Sequence, residues 1–110
     1  MKSRSLAIAG LFAMLVFVAA PLLAEGDPAA GKNKTAMCAG CHGIPGFRAA
    51  YPETYQVPKL GGQNPAYIVA ALKAYKAGER NHATMKAIAF SLTEQDMADL
   101  AAYYARTGKN

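Results

Sequence analysis

The five residues Cys38-Ala39-Gly40-Cys41-His42 constrain this chain more than any other stretch, because they hold both of its cysteines and one of its two histidines. At a spacing of three the two thiols share one face of a helix, and His42 follows at once. Four chemistries use such a pair: a zinc site, a redox dithiol, a structural disulfide and thioether attachment of haem. Zinc asks for four ligands, and the second histidine, His82, lies 40 residues away without a second spaced pair. A thioredoxin-like dithiol follows a strand in a βαβ unit, and no strand pattern precedes Cys38. A plain disulfide leaves two further features of the chain unexplained. Haem attachment explains them, since both sulfurs then reach the vinyl groups of one ring and His42 projects under the iron as an axial ligand.

The first of those features is a thin core. Lys2 and Arg4, the uncharged run from Leu6 to Ala20 and the small residues up to Ala24 have the layout of a cleaved export signal over residues 1–24. An uncleaved anchor is the alternative, because the run continued through Ala24 approaches the roughly 18–20 apolar residues that cross a bilayer. No cysteine lies near the cleavage region, so lipid attachment has no acceptor. The remaining domain, 25–110, carries 18 alanines but only nine Ile, Leu or Val residues. So small a domain gains little from its core alone and needs a staple. Its ten basic and seven acidic side chains leave a mild positive charge, far short of a nucleic-acid footprint. Export places it in an oxidising compartment, the periplasm.

The second feature is a long loop. Asp27 and Pro28 form a cap-and-first-turn signal, from which one helix is expected to run towards Cys38. From Gly43 to Gly62, Pro45, Pro52, Pro58 and several glycines interrupt any period. A structureless stretch of this length is unusual in a small domain unless it wraps something that is not protein. Asn64-Pro65 then opens an amphipathic helix with Ile68, Leu72 and Tyr75 on one face, closed by Gly78. Residues Glu79 to Ala83 are irregular, Met85 to Leu92 form a short helical turn or two, and Thr93-Glu94-Gln95-Asp96 caps a last helix that ends at Gly108. No strand pattern competes, which makes the domain all-α with about three to five helices.

The sixth iron ligand has few candidates. Met37 neighbours the attachment cysteine, and Met97 occupies the apolar stripe of the last helix, where methionine is usually core filler. His82 is a rival, with solvent exposure as its ordinary fate. Met85 lies in the irregular segment, free to turn its thioether towards iron, and is the expected ligand.

From Gly26 to Tyr104 the chain resembles a class I c-type cytochrome, most nearly one half of the diheme periplasmic cytochromes and their small monohaem relatives. The resemblance rests on Gly31, Cys38 to Gly43, Pro58-Lys59-Leu60-Gly61-Gly62-Gln63, Tyr67, Leu72, Gly78-Glu79-Arg80, Met85 with Ile88-Ala89, Leu92-Thr93 and Asp96 to Tyr103. It implies the class I cytochrome c fold around one covalent haem c, with His42 and Met85 as axial ligands. It further implies that the Pro58 carbonyl accepts the His42 ring N–H, as ligating histidines usually require. Gly31 is expected to allow a close helix crossing near Tyr104. Leu60 and Leu72 are expected in the haem pocket, with Gln63 and Arg80 beside the propionates. A single C-x-x-C-H departs from the diheme pattern, so two haems require two chains.

With both axial positions filled, one-electron transfer is the expected chemistry and catalysis is not. A soft thioether favours Fe(II) and raises the potential over bis-histidine ligation. Expected partners are redox proteins, a dehydrogenase or reductase donor and an oxidase or reductase acceptor, met by a monomer or weak dimer free of the membrane once the signal is removed. Lys59, Lys73, Lys76 and Lys86 are candidates for steering that encounter. The alternatives are an electron-accepting subunit of a dehydrogenase complex, such as a flavoprotein sulfide dehydrogenase, and a haem sensor with a labile sixth ligand.

Overall fold

The computed structural model describes residues 25–50 and 54–108. The export signal expected over residues 1–24 lies outside the described residues, and no helix within them is long and apolar enough to cross a membrane. The described chain forms α1 (Pro28–Asn33), α2 (Ala36–His42), β1 (Arg48–Ala49), β2 (Tyr55–Gln56), α3 (Pro65–Ala77), α4 (Ala83–Phe90) and α5 (Glu94–Arg106).

Local chemistry sets most of these boundaries. Asp27 accepts the Ala29 N–H ahead of Pro28, and Asn64 accepts the Tyr67 N–H ahead of Pro65. Thr93 and Asp96 close a reciprocal capping box at α5. Gly78 ends α3 with φ 79°, a left-handed conformation that glycine adopts without strain.

Three expectations are corrected. The helix from Pro28 does not run through to Cys38: it stops at Asn33, where Lys34 leaves helical geometry and the Thr35 hydroxyl donates back to the Lys32 carbonyl at 2.9 Å. Such local hydroxyl bonds offer the backbone an alternative to the helix. The 43–62 stretch is not featureless, since Arg48 pairs with Gln56 and Ala49 with Tyr55 in an antiparallel ladder. Two residues per strand are too few to show an alternating pattern. Met85 sits inside a regular helix, α4, which agrees with the helical turns read from Met85 to Leu92 and corrects only its placement in the irregular segment.

The first described helix, α1, crosses the last, α5, and α3 packs against both α4 and α5. The crossing is so close that a Cβ on Gly31 would lie 2.0 Å from the Asp99 carbonyl oxygen, and one on Gly26 would lie 1.8 Å from that of Ala98. Gly31 thus lets the last helix approach at Asp99 and Tyr103, next to Tyr104. Asp99, only 3% exposed, fastens the crossing. Its carboxylate accepts the Asp27 N–H at 2.8 Å, the Gln95 amide at 2.8 Å and the Lys34 ammonium at 2.6 Å. Lys34 also bridges to Asp96 at 2.8 Å. These bonds hold the Asp99 carboxyl below its usual range and the Asp96 carboxyl at about 2, the Lys34 ammonium being the leading cause for each.

Candidate haem-binding site

The buried core consists of Ile68, Leu72, Tyr75, Ala89, Leu92, Met97, Leu100 and Ala101. Five of these eight (Ile68, Leu72, Tyr75, Leu92 and Leu100) also line a mostly apolar cavity of about 470 Å³. The core is thus open on one side, the arrangement expected where a large apolar group completes it.

The nine residues expected from sequence at the haem all line this cavity: Cys38, Cys41, His42, Pro58, Leu60, Gln63, Leu72, Arg80 and Met85. The short helix α2 brings Cys38 and Cys41 to the wall half-buried and unbonded to each other. Burial pushes the Cys38 thiol up from its ordinary value. His42 closes the same helix, and its Nδ1 lies 2.7 Å from the Pro58 carbonyl oxygen. Because a carbonyl only accepts, Nδ1 carries the proton and Nε2 keeps its lone pair, the tautomer a metal ligand needs. Met85 is the third residue of α4 and half-buried beside the core. Met97 is 1% exposed and forms no part of the cavity wall, whereas Met37 is half exposed at its margin.

The polar lining is one-sided in charge. Arg80 donates to the Tyr67 hydroxyl at 3.4 Å and lies 4.8 Å over the Tyr75 ring. Among the described residues no Asp or Glu lines the cavity, while Lys59 and Arg80 do. The four lysines considered for partner steering are not equivalent: Lys73 pairs with Glu94 at 3.2 Å, Lys76 donates to the Leu92 carbonyl, and Lys59 is the one at the cavity.

Sequence reasoning missed two contacts. His82 is half-buried rather than solvent-exposed; it caps α4 by accepting the Met85 N–H and meets Tyr55 edge-on. Tyr104 also lines the cavity beside Cys38, and burial pushes its hydroxyl far above its ordinary value, so it stays neutral. The cap on Met85 is local, but a histidine is not a usual cap residue, and the Tyr55 and Cys38 contacts join distant parts of the chain that no local signal marks.

Two thiols on one short helix, an imidazole with Nδ1 engaged, a thioether from a separate helix, apolar walls and cations without acids form a donor set that fits haem c. Among the described residues no group of three or more His, Cys, Asp or Glu side chains is placed to hold a metal ion by itself. A family model described as cytochrome c matches residues 28–107. The chain belongs to the cytochrome c family.

It is a class I c-type cytochrome, a haem c protein that transfers electrons and is not an enzyme. It is 42% identical over 83 residues to cytochrome c-554(548) of Halomonas halodenitrificans, covering 73% of this chain and 95% of that protein. Identity to cytochrome c4 of Pseudomonas aeruginosa is 40% over 82 residues, 74% of this chain but 39% of the relative. The chain thus spans about two fifths of the cytochrome c4 and corresponds to one half of such a protein. The cytochrome subunit of sulfide dehydrogenase from Chlorobaculum tepidum is 30% identical over 79 residues, 72% of this chain and 67% of that one.

Proposed function

We propose that this cytochrome is a periplasmic one-electron carrier, exported by residues 1–24, that shuttles electrons between a dehydrogenase or reductase and a terminal acceptor. When bound, haem c supplies an iron that gains and loses one electron. The cavity that gathers both cysteines, His42 and Met85 is the observation that carries this reading. Cys38 and Cys41 would hold the ring through thioethers, and His42 and Met85 would supply a nitrogen and a sulfur to its iron. The Pro58 carbonyl fixes the imidazole plane, so the ligand does not rotate as the charge on the metal changes. Leu60 and Leu72 keep water from the ring face, which with the Met85 sulfur favours the reduced state. Arg80, held by Tyr67 and Tyr75, would offset propionate charge and the Gln63 amide would donate a hydrogen bond there; Lys59, at the same cavity, adds charge for docking on an acidic partner surface.

The test is the absorption spectrum of the exported, purified protein in both oxidation states, followed by carbon monoxide added to the reduced form. A c-type spectrum with a far-red methionine-to-ferric-iron band and no carbon monoxide response is expected. Prompt carbon monoxide binding would replace the carrier with a haem sensor, and a colourless protein would remove the haem assignment. A second reading, an electron-accepting subunit held by a sulfide-oxidising dehydrogenase, is favoured by the likeness to the Chlorobaculum subunit. Co-purification with a partner enzyme distinguishes it from a free carrier.

A further inference from the structure

The helix that carries Met85 begins on an uncommon cap. Asp, Asn, Ser and Thr are the residues that usually open helices, and α1, α3 and α5 open on Asp27, Asn64 and Thr93. α4 opens on His82, whose Nδ1 accepts the Met85 N–H at 3.3 Å. The ring is half-buried, lines the cavity and meets the Tyr55 ring edge-on, with centroids 5.3 Å apart. Tyr55 belongs to β2, in the same segment that presents Pro58 to His42.

We propose that His82 is a positioning residue for the Met85 sulfur: its imidazole pins the first turn of α4 between the Met85 N–H and the Tyr55 ring, and so holds the thioether at the iron. This rests on Met85 being the sixth ligand. The helix has eight residues, short of the roughly 12–15 that sustain an isolated helix in water. Its first N–H groups have no partners within the helix, and no acidic side chain lies in its first turn. Met85 rides on that turn, so fraying there moves the ligand itself. Asparagine or serine satisfies an N–H equally well but has no aromatic face for Tyr55, which accounts for a histidine where a small polar residue is the rule. One segment then steadies both axial ligands, His42 through Pro58 and Met85 through Tyr55 and His82.

The experiment compares haem-loaded wild type, His82→Ala, His82→Asn and Met85→Ala by the far-red band of the ferric form, the rate of carbon monoxide binding to the ferrous form and thermal melting. Loss of a cap bond raises the population with a released sulfur, so His82→Ala is expected to weaken the band and bind carbon monoxide about fivefold faster. His82→Asn keeps an acceptor for the Met85 N–H but loses the Tyr55 ring contact, so it is expected between wild type and the alanine variant in band strength and rate. Unchanged band and rate in His82→Ala, whatever its melting temperature, overturns the proposal, because a purely structural cap alters melting alone. So does an asparagine variant as open as the alanine one. Met85→Ala separates the two failures: if it keeps the wild-type band and rate, the ligand assignment itself is wrong and the proposal falls with it.

Discussion

The α1/α5 crossing and the cavity on the other side of α5 are built by opposite means. At the crossing, backbone meets backbone: Gly31 and Gly26 remove the side chains that would keep the helices apart, and the buried Asp99 carboxylate is bonded on three sides. Around the cavity, side chains of α2, α3, α4 and the 43–62 segment stand back from one another, and most of the buried core faces the opening. One region is completed by the polypeptide and the other by the haem that the family carries. A domain with nine Ile, Leu and Val residues over 25–110 can do this because the second region borrows its apolar centre.

The largest expected effect breaks the borrowed half. Replacing Cys38 and Cys41 together by alanine should abolish covalent haem, read by haem staining after denaturing electrophoresis. Amide exchange should then lose protection first in α3 and α4, with α1 and α5 the last to open. Full protection across α3 and α4 in this variant would show that the cavity walls close unaided and would erase the contrast.

Gly31→Val attacks the other half. Its added atoms collide with the Asp99 carbonyl, and overpacking against backbone should cost about 3 kcal/mol. That corresponds to a melting temperature lower by roughly 12–24 °C, while haem content and reduction potential should stay as they are. A shifted potential would show that the crossing reaches the iron.

Asp99→Ala should be milder, about 2 kcal/mol, because it strands the Asp27 N–H and the Lys34 ammonium. Its acid profile sharpens the point. The Asp96 carboxyl, at about 2, and that of Asp99, lowered from its ordinary value, are both depressed in the folded protein. Their contribution is therefore complete above about pH 4, where unfolded carboxylates are ionised. It fades as the pH falls towards about 2. Asp99→Asn should flatten that loss in denaturation curves taken across the same window. The smallest effect belongs to Lys73→Ala, whose exposed pair with Glu94 is worth less than about 0.5 kcal/mol in thermal melting.

Wherever the signal is local, the fold was legible in the sequence. Cap residues and proline placed α3 and α5, Gly78 ended α3, and C-x-x-C-H located the attachment helix within a few residues. The break at Lys34 and Thr35 was not legible, because it depends on a hydroxyl turning back to a carbonyl that a continuous helix also tolerates. Nor was the Asp99 clamp, since a carboxylate on a charged helix reads as a solvated face until Asp27 and Lys34 arrive from the far end of the chain. His82 was misjudged for the same reason: its neighbour Tyr55 is 27 positions away.

The sequence alone determined the cofactor chemistry, because two thiols and an imidazole packed into five residues carry their geometry with them. It also determined the helical class, through caps, breakers and period. Tertiary structure decided which charged groups are buried, how closely the terminal helices approach and what steadies the helix of Met85. Those depend on contacts between residues far apart in the chain, and the energy of such a contact exists only once both partners have been brought together.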